Sequence, residues 1–364
     1  MVSWLVTAWA LGAAAFTGVA LFRLAARDRR RAAGTPRLST RHFAPVLLLR
    51  PVDAPTPLEL ENLGAPVDYP GPLTHVVLSP SRPRLKVSAG VQWLSSDPPG
   101  HNRKVGHLNH ALATLPHDAD AVVLAVDADV RVDGTLVAAL VDELHAGAAL
   151  TSAAPRPAVL ETLAGRMVRG LLVQSHHSFE ALDVMSAGAR AVCGKAVGLS
   201  AEAQAELVKL GDCLGEDLEL SQVLHRRGLA VSLARAPAHI PQAAGSTPRA
   251  VLERFARWMQ VLRAHRPALF PSVPLLFAPT PVLMALAAWL AAPHLAVALC
   301  ALVGLRLALA NRLDGRPGLR FEWLLAELLL WAAWLESLRR GRIVTWRGRT
   351  FALEKGGRRV EGAA

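Results

Sequence analysis

Cysteine and tyrosine are scarce in this 364-residue chain, with three of the first and one of the second. Cys193, Cys213 and Cys300 lack the spacing of a metal-binding or redox motif, so nothing suggests a zinc module or a disulfide scaffold, and a reducing compartment fits. A single tyrosine leaves no basic-aromatic platform for stacking nucleic-acid bases, so the net charge of +11 is not read as a nucleic-acid signature. Charge is missing altogether from two stretches: the opening MVSWLVTAWALGAAAFTGVALF, and the run from Ala121 to Val126. Acids are missing from a third, VVLSPSRPRL at 76–85.

The uncharged opening, residues 1–22, is long enough to span a hydrocarbon core of about 30 Å as a helix. Arg23, Arg27, Arg29, Arg30, Arg31, Arg37 and Arg41 follow it, against one acid, Asp28. A cleaved signal carries its positive charge before the apolar part, so this order predicts a retained anchor with a basic linker over 23–41, and a cytoplasmic chain beyond. A second apolar region, VPLLFAPTPVLMALAAWLAAP and then HLAVALCALVGLRLALA, is broken only by Arg306 and reads as a helical hairpin. A third, FEWLLAELLLWAAWLESL, contains Glu322, Glu327 and Glu336, which are costly in hydrocarbon, and is expected in the interface. The C-terminal membrane region is thus placed at 271–340, with about two spans, and 341–364 is expected to be a basic cytoplasmic tail. With 52% hydrophobic residues, the basic excess beside these segments points to anionic lipid rather than nucleic acid. The expected place is a cell membrane, inner or plasma, crossed more than once.

Between 42 and 248 short apolar runs (APVLLLRP, THVVLSP, AVVLAVDADV) alternate with helix-like periods (KVGHLNHALATL, GTLVAALVDELHAG). This predicts an α/β domain with a mostly parallel, Rossmann-like sheet covered on both faces. In such sheets the ligand crevice lies beyond the carboxyl ends of the strands. Asp127 and Asp129 emerge there, one residue apart and on one side if the chain stays extended. Two such charges need a cation near them, and a divalent metal carrying a diphosphate would serve. Solvation of a turn is the alternative.

GEDLELSQVLHRRG (215–228) places Glu216 and Asp217 at the start of a helix. An acidic pair there either offsets the helix dipole or takes a proton from a bound hydroxyl. RFARWMQVLRAHRP (254–267) belongs to an amphipathic helix over 249–270, expected at the membrane surface. Its Arg257 and Trp258 could also hold and cover a phosphate.

D-x-D, E-D and R-x-x-R-W in this order, between membrane segments, resemble the family 2 glycosyltransferases, and most of all the ceramide glucosyltransferase-like branch with its bacterial hopanoid-associated members. LLLRPVDAPTPLELENL, HNRKVGHLNHAL, QSHHS and IVTWRGRTFAL add to the likeness. The resemblance implies a GT-A fold and an inverting transfer of a sugar from a nucleotide sugar, a UDP-sugar by family habit, to a lipid hydroxyl, aided by Mg²⁺ or Mn²⁺. It assigns the metal and donor diphosphate to Asp127 and Asp129. Asn102, Lys104, Arg254, Arg257 and Trp258 join them around the donor, Asp217 is the base, and Glu216 and His176 stand on the acceptor side or in support. Two departures stand out: the missing acids of 76–85, where either Arg82 or Arg84 becomes a substitute donor contact or backbone groups alone hold the nucleotide, and Thr56 in place of an early aspartate, with Asp53 three positions before it. These departures motivate one rival reading, a membrane protein that keeps the fold as a binding or assembly partner without efficient catalysis. A small transporter is disfavoured, because it leaves the central domain unexplained.

Overall fold

The computed structural model describes residues 1–33, 43–84, 90–116, 120–158, 161–241, 245–346, 349–357 and 359–361. In chain order it runs α1 (Val2–Ala33), β1 (Val46–Pro51), α2 (Pro57–Gly64), β2 (Leu73–Ser79), β3 (Val91–Ser95), α3 (Arg103–Thr114), β4 (Val122–Val126) and α4 (Gly134–His145). There follow β5 (Leu150–Ser152), β6 (Pro155–Pro157), α5 (Leu163–Val173), α6 (Phe179–Met185), β7 (Ala196–Leu199), α7 (Ala201–Leu207), α8 (Glu216–Arg226), β8 (Val231–Leu233) and β9 (Ala238–Ile240). The last part holds α9 (Pro248–His265), α10 (Thr280–Leu290), α11 (Pro293–Asp314), α12 (Glu322–Arg340), β10 (Ile343–Trp346), β11 (Arg349–Leu353) and β12 (Arg359–Glu361).

Seven strands form the central sheet in the order β3-β2-β1-β4-β7-β5-β8. All neighbours are parallel except around β7, which runs antiparallel to both β4 and β5. The strands β1 and β4 are buried along their whole length because alternate side chains enter two different cores. Leu47, Leu49, Val123 and Ala125 meet Val105 and Leu108 of α3 and Leu220 and Leu224 of α8. Val46, Leu48, Val122 and Leu124 meet Leu136, Val137 and Leu140 of α4. The β3-β2-β1-β4 order places a topological switch between β1 and β4, where a crevice opens past the strand ends.

Outside this domain the structure redraws several sequence boundaries. The helix that contains the expected anchor, α1, continues through the arginines to Ala33, so residues 23–33 of the expected linker are helical; residues 34–41 of that linker lie outside the described residues. Helices α1 and α11 are long and apolar enough to cross a membrane. They pack side by side through Ala10, Ala13 and Ala14 against Leu295, Ala298 and Leu302, small residues permitting the close approach. The α10 arm of the expected hairpin has only 11 residues, too few to span alone at about 1.5 Å each. Arg306 and Glu327, the charges that interrupt the apolar segments, are 3% and 1% exposed and pair with each other at 3.2 Å.

The helix α9 ends at His265, and its apolar stripe is not free for lipid. Val251, Phe255, Ala256 and Met259 are buried against Ala164, Val168 and Leu171 of α5 and Ala326, Leu329 and Leu330 of α12. Protein packing thus satisfies the periodicity that suggested a membrane surface. The C-terminal region, expected to be a basic tail, folds as an antiparallel sheet β10-β11-β12 whose Val344 and Leu353 are buried beside Leu214 and Val261.

Candidate active site

The crevice at the switch point is lined by Asp53, Glu59, Lys104, His107, Asp127, Asp129 and Lys195. Each arrives for a local reason. The turn after β4 is built on Arg50, an arginine inside β1 with 0% exposure. Its guanidinium donates to the carbonyls of Val126 (3.1 Å), Asp127 (3.1 Å), Ala128 (3.4 Å) and Val130 (2.7 Å). Burial pulls its pKa down to about 10, against the pull of Asp127 and Asp129. An arginine fork fits four carbonyls of a turn where a point ammonium does not. It also places a positive charge beneath the two aspartates.

The carboxylates are paired from above. Lys104 Nζ lies 2.9 Å from Asp127 Oδ1, and Lys195 Nζ lies 3.4 Å from Asp127 Oδ2 and closer still to Asp129 Oδ2. Lys195 gets there because the amide of Asp127 donates to its carbonyl at 2.8 Å, as β7 enters the sheet beside β4. Burial opposes the charge of Asp127, but Lys104 and Lys195 outweigh it and hold the acid below its ordinary pKa. Burial likewise opposes the ammonium of Lys195, and Asp129 and Asp127 overcome it and raise its pKa. So two lysines, Lys104 and Lys195, bring positive charge to the D-x-D pair.

On the other side of Lys104 stands the E-D pair. Lys104 Nζ is 3.5 Å from Glu216 Oε1, and Asn102, the N-cap of α3, donates from Nδ2 to Glu216 Oε2 at 3.1 Å. Asp217 accepts from the Gly194 amide at 2.7 Å through Oδ2 and from its neighbour Leu218 at 2.9 Å through Oδ1. Burial first, then the like charge of Glu216, push its carboxyl up to about 6, against the pull of Lys104. The dipeptide Gly194–Lys195 therefore serves both acidic pairs.

The remaining sequence candidates sit farther back. Trp258 packs edge-on against Phe255 and Phe179, 5.1 and 6.3 Å between ring centres, and borders Cys193, next to Gly194. It is partly buried, against the segment that leads to Gly194. Arg254 is exposed on α9, and Arg257 is half-buried one turn away. His176 is buried, stacks on Phe16 at 5.0 Å and meets Arg306, so it belongs to the helical region; burial and Arg306 keep its ring neutral. Arg82 and Arg84 are exposed beyond β2 and do not line the crevice. Thr56 caps α2 in a reciprocal capping box with Glu59, a role an aspartate also fills. Asp53 lies in the crevice instead, held at 2.7 Å by Arg103 Nε and at 3.0 Å by His107 Nε2. Those two bonds overcome burial and keep it ionised down to about pH 2.

Sequence reasoning missed Lys195, Arg50 and His107. A lone lysine before an apolar run, or an arginine inside one, carries a weak signal; only the R-P and G-K contexts hint at a turn.

A divalent metal passes a test of fit here. Asp129 Oδ1 is buried and has no hydrogen-bond partner among the described residues. No cluster of three or more acidic, histidine or cysteine ligands occurs among them, so the protein ligands of a metal here would be Asp129 and Asp127 alone.

Residues 85–359 match the sequence profile of glycosyl transferase family 21. The chain belongs to this family. Membership makes it a glycosyltransferase, and hence an enzyme using a nucleotide sugar. No curated protein matches the chain. Among solved structures it is similar to the mannosyltransferase PcManGT from Pyrobaculum calidifontis in complex with GDP-Man and Mn²⁺, at 18% identity and a TM-score of 0.50, over 92% of this chain and 99% of that one. A mycobacterial protein aligns at 17% identity and a TM-score of 0.35, over 60% of this chain and 73% of that chain. The PcManGT likeness establishes the GT-A type fold for this member of family 21.

Proposed function

We propose that this glycosyltransferase moves a sugar from a UDP-sugar to the hydroxyl of a membrane lipid, with inversion at the anomeric carbon. The observation that carries the reading is Lys104, whose ammonium touches Asp127 of one acidic pair and Glu216 of the other. One side chain therefore joins a diphosphate-type site to a base-type site, since Lys104 lines both the crevice of Asp127 and Asp129 and the adjoining cavity of Glu216 and Asp217.

In the proposed step Asp217 accepts the proton of the acceptor hydroxyl as its oxygen attacks the anomeric carbon. The bond from that carbon to the diphosphate oxygen breaks, and the nucleoside diphosphate leaves with the electron pair. Lys104, Lys195 and Arg257 offset the charge that develops on it. A Mg²⁺ or Mn²⁺ ion on Asp129, with Asp127, supplies further Lewis-acid stabilisation when bound. Asp53, Glu59 and His107 line the same crevice from the β1 side, which supports a nucleoside end there and answers the missing acids of 76–85. Helices α1 and α11, attached to the catalytic domain, support delivery of a lipid hydroxyl from the bilayer. With both acidic pairs in place and bridged by Lys104, we favour the enzyme over the partner-only reading.

Membranes containing the protein, incubated with radiolabelled nucleotide sugars and a total lipid extract, are expected to yield lipid-soluble label from a UDP-sugar, at a pH above about 6. Label transferred only from a GDP-sugar would overturn the donor assignment. No transfer from any donor would overturn the function.

A further inference from the structure

The helix that carries Asp217 starts without a side-chain cap, at Gly215 in the left-handed region (φ 83°). A turn placed this way needs outside support, and residues 211–215 receive it from three parts of the chain. The backbone amide of Asn102 donates to Gly211 O at 2.8 Å, and its side chain to Cys213 O at 2.8 Å. His265, the last residue of α9, points Nε2 at Leu214 O at 2.8 Å; since a carbonyl only accepts, Nε2 carries the hydrogen. Its Nδ1 lies 3.4 Å from Glu219 of α8, and its side chain is 0% exposed. The third support is the turn between β11 and β12, where the Leu214 amide donates to Gly357 O at 2.8 Å and the Gly356 amide to Ala264 O at 3.0 Å.

Space is as tight as the bonding. A Cβ on Gly215 would lie 2.6 Å from Val261 Cγ1 and 3.1 Å from His265 Nε2. One on Gly357 would collide with His265 Nε2 and with the Leu214 carbonyl. Both Gly356 and Gly357 are left-handed, at φ 79° and 71°. Gln260 ties the start of the sheet to the same helix, donating to Gly341 O at 3.2 Å and Ile343 O at 2.7 Å.

We infer that the C-terminal sheet and His265 form a clamp that sets the position of Asp217, with His265 and Gly357 as positioning residues. The inference rests on Asp217 being the base. The same helix α9 carries Arg254, Arg257 and Trp258, so the clamp fixes the base relative to that arginine pair through one rigid element. Its effect falls on turnover: a base displaced by about 1 Å loses on the order of 10²-fold in rate, while the turn of Asp127 and Asp129, held by Arg50 of β1, makes no contact with the clamp among the described residues.

The test uses the full-length protein in membranes, with His265→Leu, His265→Gln and Gly357→Ala beside Asp217→Asn. Turnover, donor KM, UDP binding and thermal midpoint are measured for each. His265→Leu and Gly357→Ala are expected to lower kcat by about 10- to 10²-fold with donor KM and UDP binding near wild type. His265→Gln, whose amide N–H can reach Leu214 O, restores much of the loss. In an Asp217→Asn background His265→Leu adds little, because there is no base left to misplace. Wild-type kcat in both His265→Leu and Gly357→Ala, or a loss of UDP binding and thermal midpoint in step with kcat, would overturn the clamp. Full transfer by Asp217→Asn would instead overturn the base assignment on which it rests.

Discussion

Two acidic pairs made of the same chemical group flank Lys104, one in the crevice past β4 and one in the smaller cavity behind it, and Asp127 and Asp217 are pushed in opposite directions. Asp127 and Asp129 face Lys104 and Lys195 and sit over Arg50, so Asp127 is driven below the ordinary carboxylate range. Asp217 is held by two backbone amides beside the like charge of Glu216, and burial raises it to about 6. Groups whose surroundings push their pKa values apart divide the work of a site. Asp127, between its lysines, stays charged and holds charge. Asp217 changes protonation near pH 6, within reach of neutrality as a base must be. Lys104 lies between them and belongs to both.

The contrast can be broken most severely at Asp217. Asp217→Asn keeps the shape and the contact with Gly194 but cannot take a proton, and is expected to lose about 10²- to 10⁴-fold in transfer. Equilibrium binding of UDP should stay near wild type, which separates the base from the donor side.

Lys195→Ala strikes the other pair. Asp129 loses its cation and Asp127 one of its two, so charge on the departing diphosphate meets less compensation. A fall of about 10²-fold in kcat/KM for the donor is expected, with a steeper dependence on added Mn²⁺. An effect confined to the acceptor KM would contradict the placement of Lys195 on the donor side.

Arg50→Lys tests the ground beneath the aspartates. The charge is kept, but several turn carbonyls lose their donor, at a cost of roughly 1–3 kcal/mol in stability. A lower thermal midpoint with a modest rise in donor KM is the expected result, and an unchanged midpoint would show that the fork is dispensable.

The finest test is pH. Transfer needs Asp217 unprotonated, so the rate should fall as pH drops through about 6, while Asp127, depressed by its lysines, keeps its charge. Glu216→Gln removes the like charge that helps to raise Asp217, so the acid limb should move to lower pH. A limb that stays in place in this variant would assign it to another group.

How much of this was legible in the chain depends on the range of the forces involved. The D-x-D turn was readable because an apolar run with no charge from Ala121 to Val126 has to end at a polar switch, and strand burial is a local pattern. Asn102 and Lys104 were found as neighbours in a motif, but their joint contact with Glu216 spans more than a hundred residues. Lys195 stayed hidden because β7 inserts antiparallel beside β4, a pairing that no periodicity announces. The stripe on α9 was read correctly as amphipathic and assigned the wrong cover, since a helix face cannot tell lipid from α5 and α12. In the C-terminal region dense arginine masked short strands whose few apolar residues, Val344 and Leu353, find their partners on α9 and beside Leu214.

The sequence by itself determined the alternating α/β pattern, the apolar helices, and the order of the acidic and basic motifs, all of which depend on residue type and short spacing. Tertiary structure alone decided which cations neutralise which carboxylates, that Arg306 and Glu327 satisfy each other, and that the C-terminal sheet reaches the turn before Asp217. Those outcomes rest on burial and on distances of about 3 Å between side chains far apart in the chain, where a carboxylate's proton affinity is set by its neighbours and not by its own chemistry.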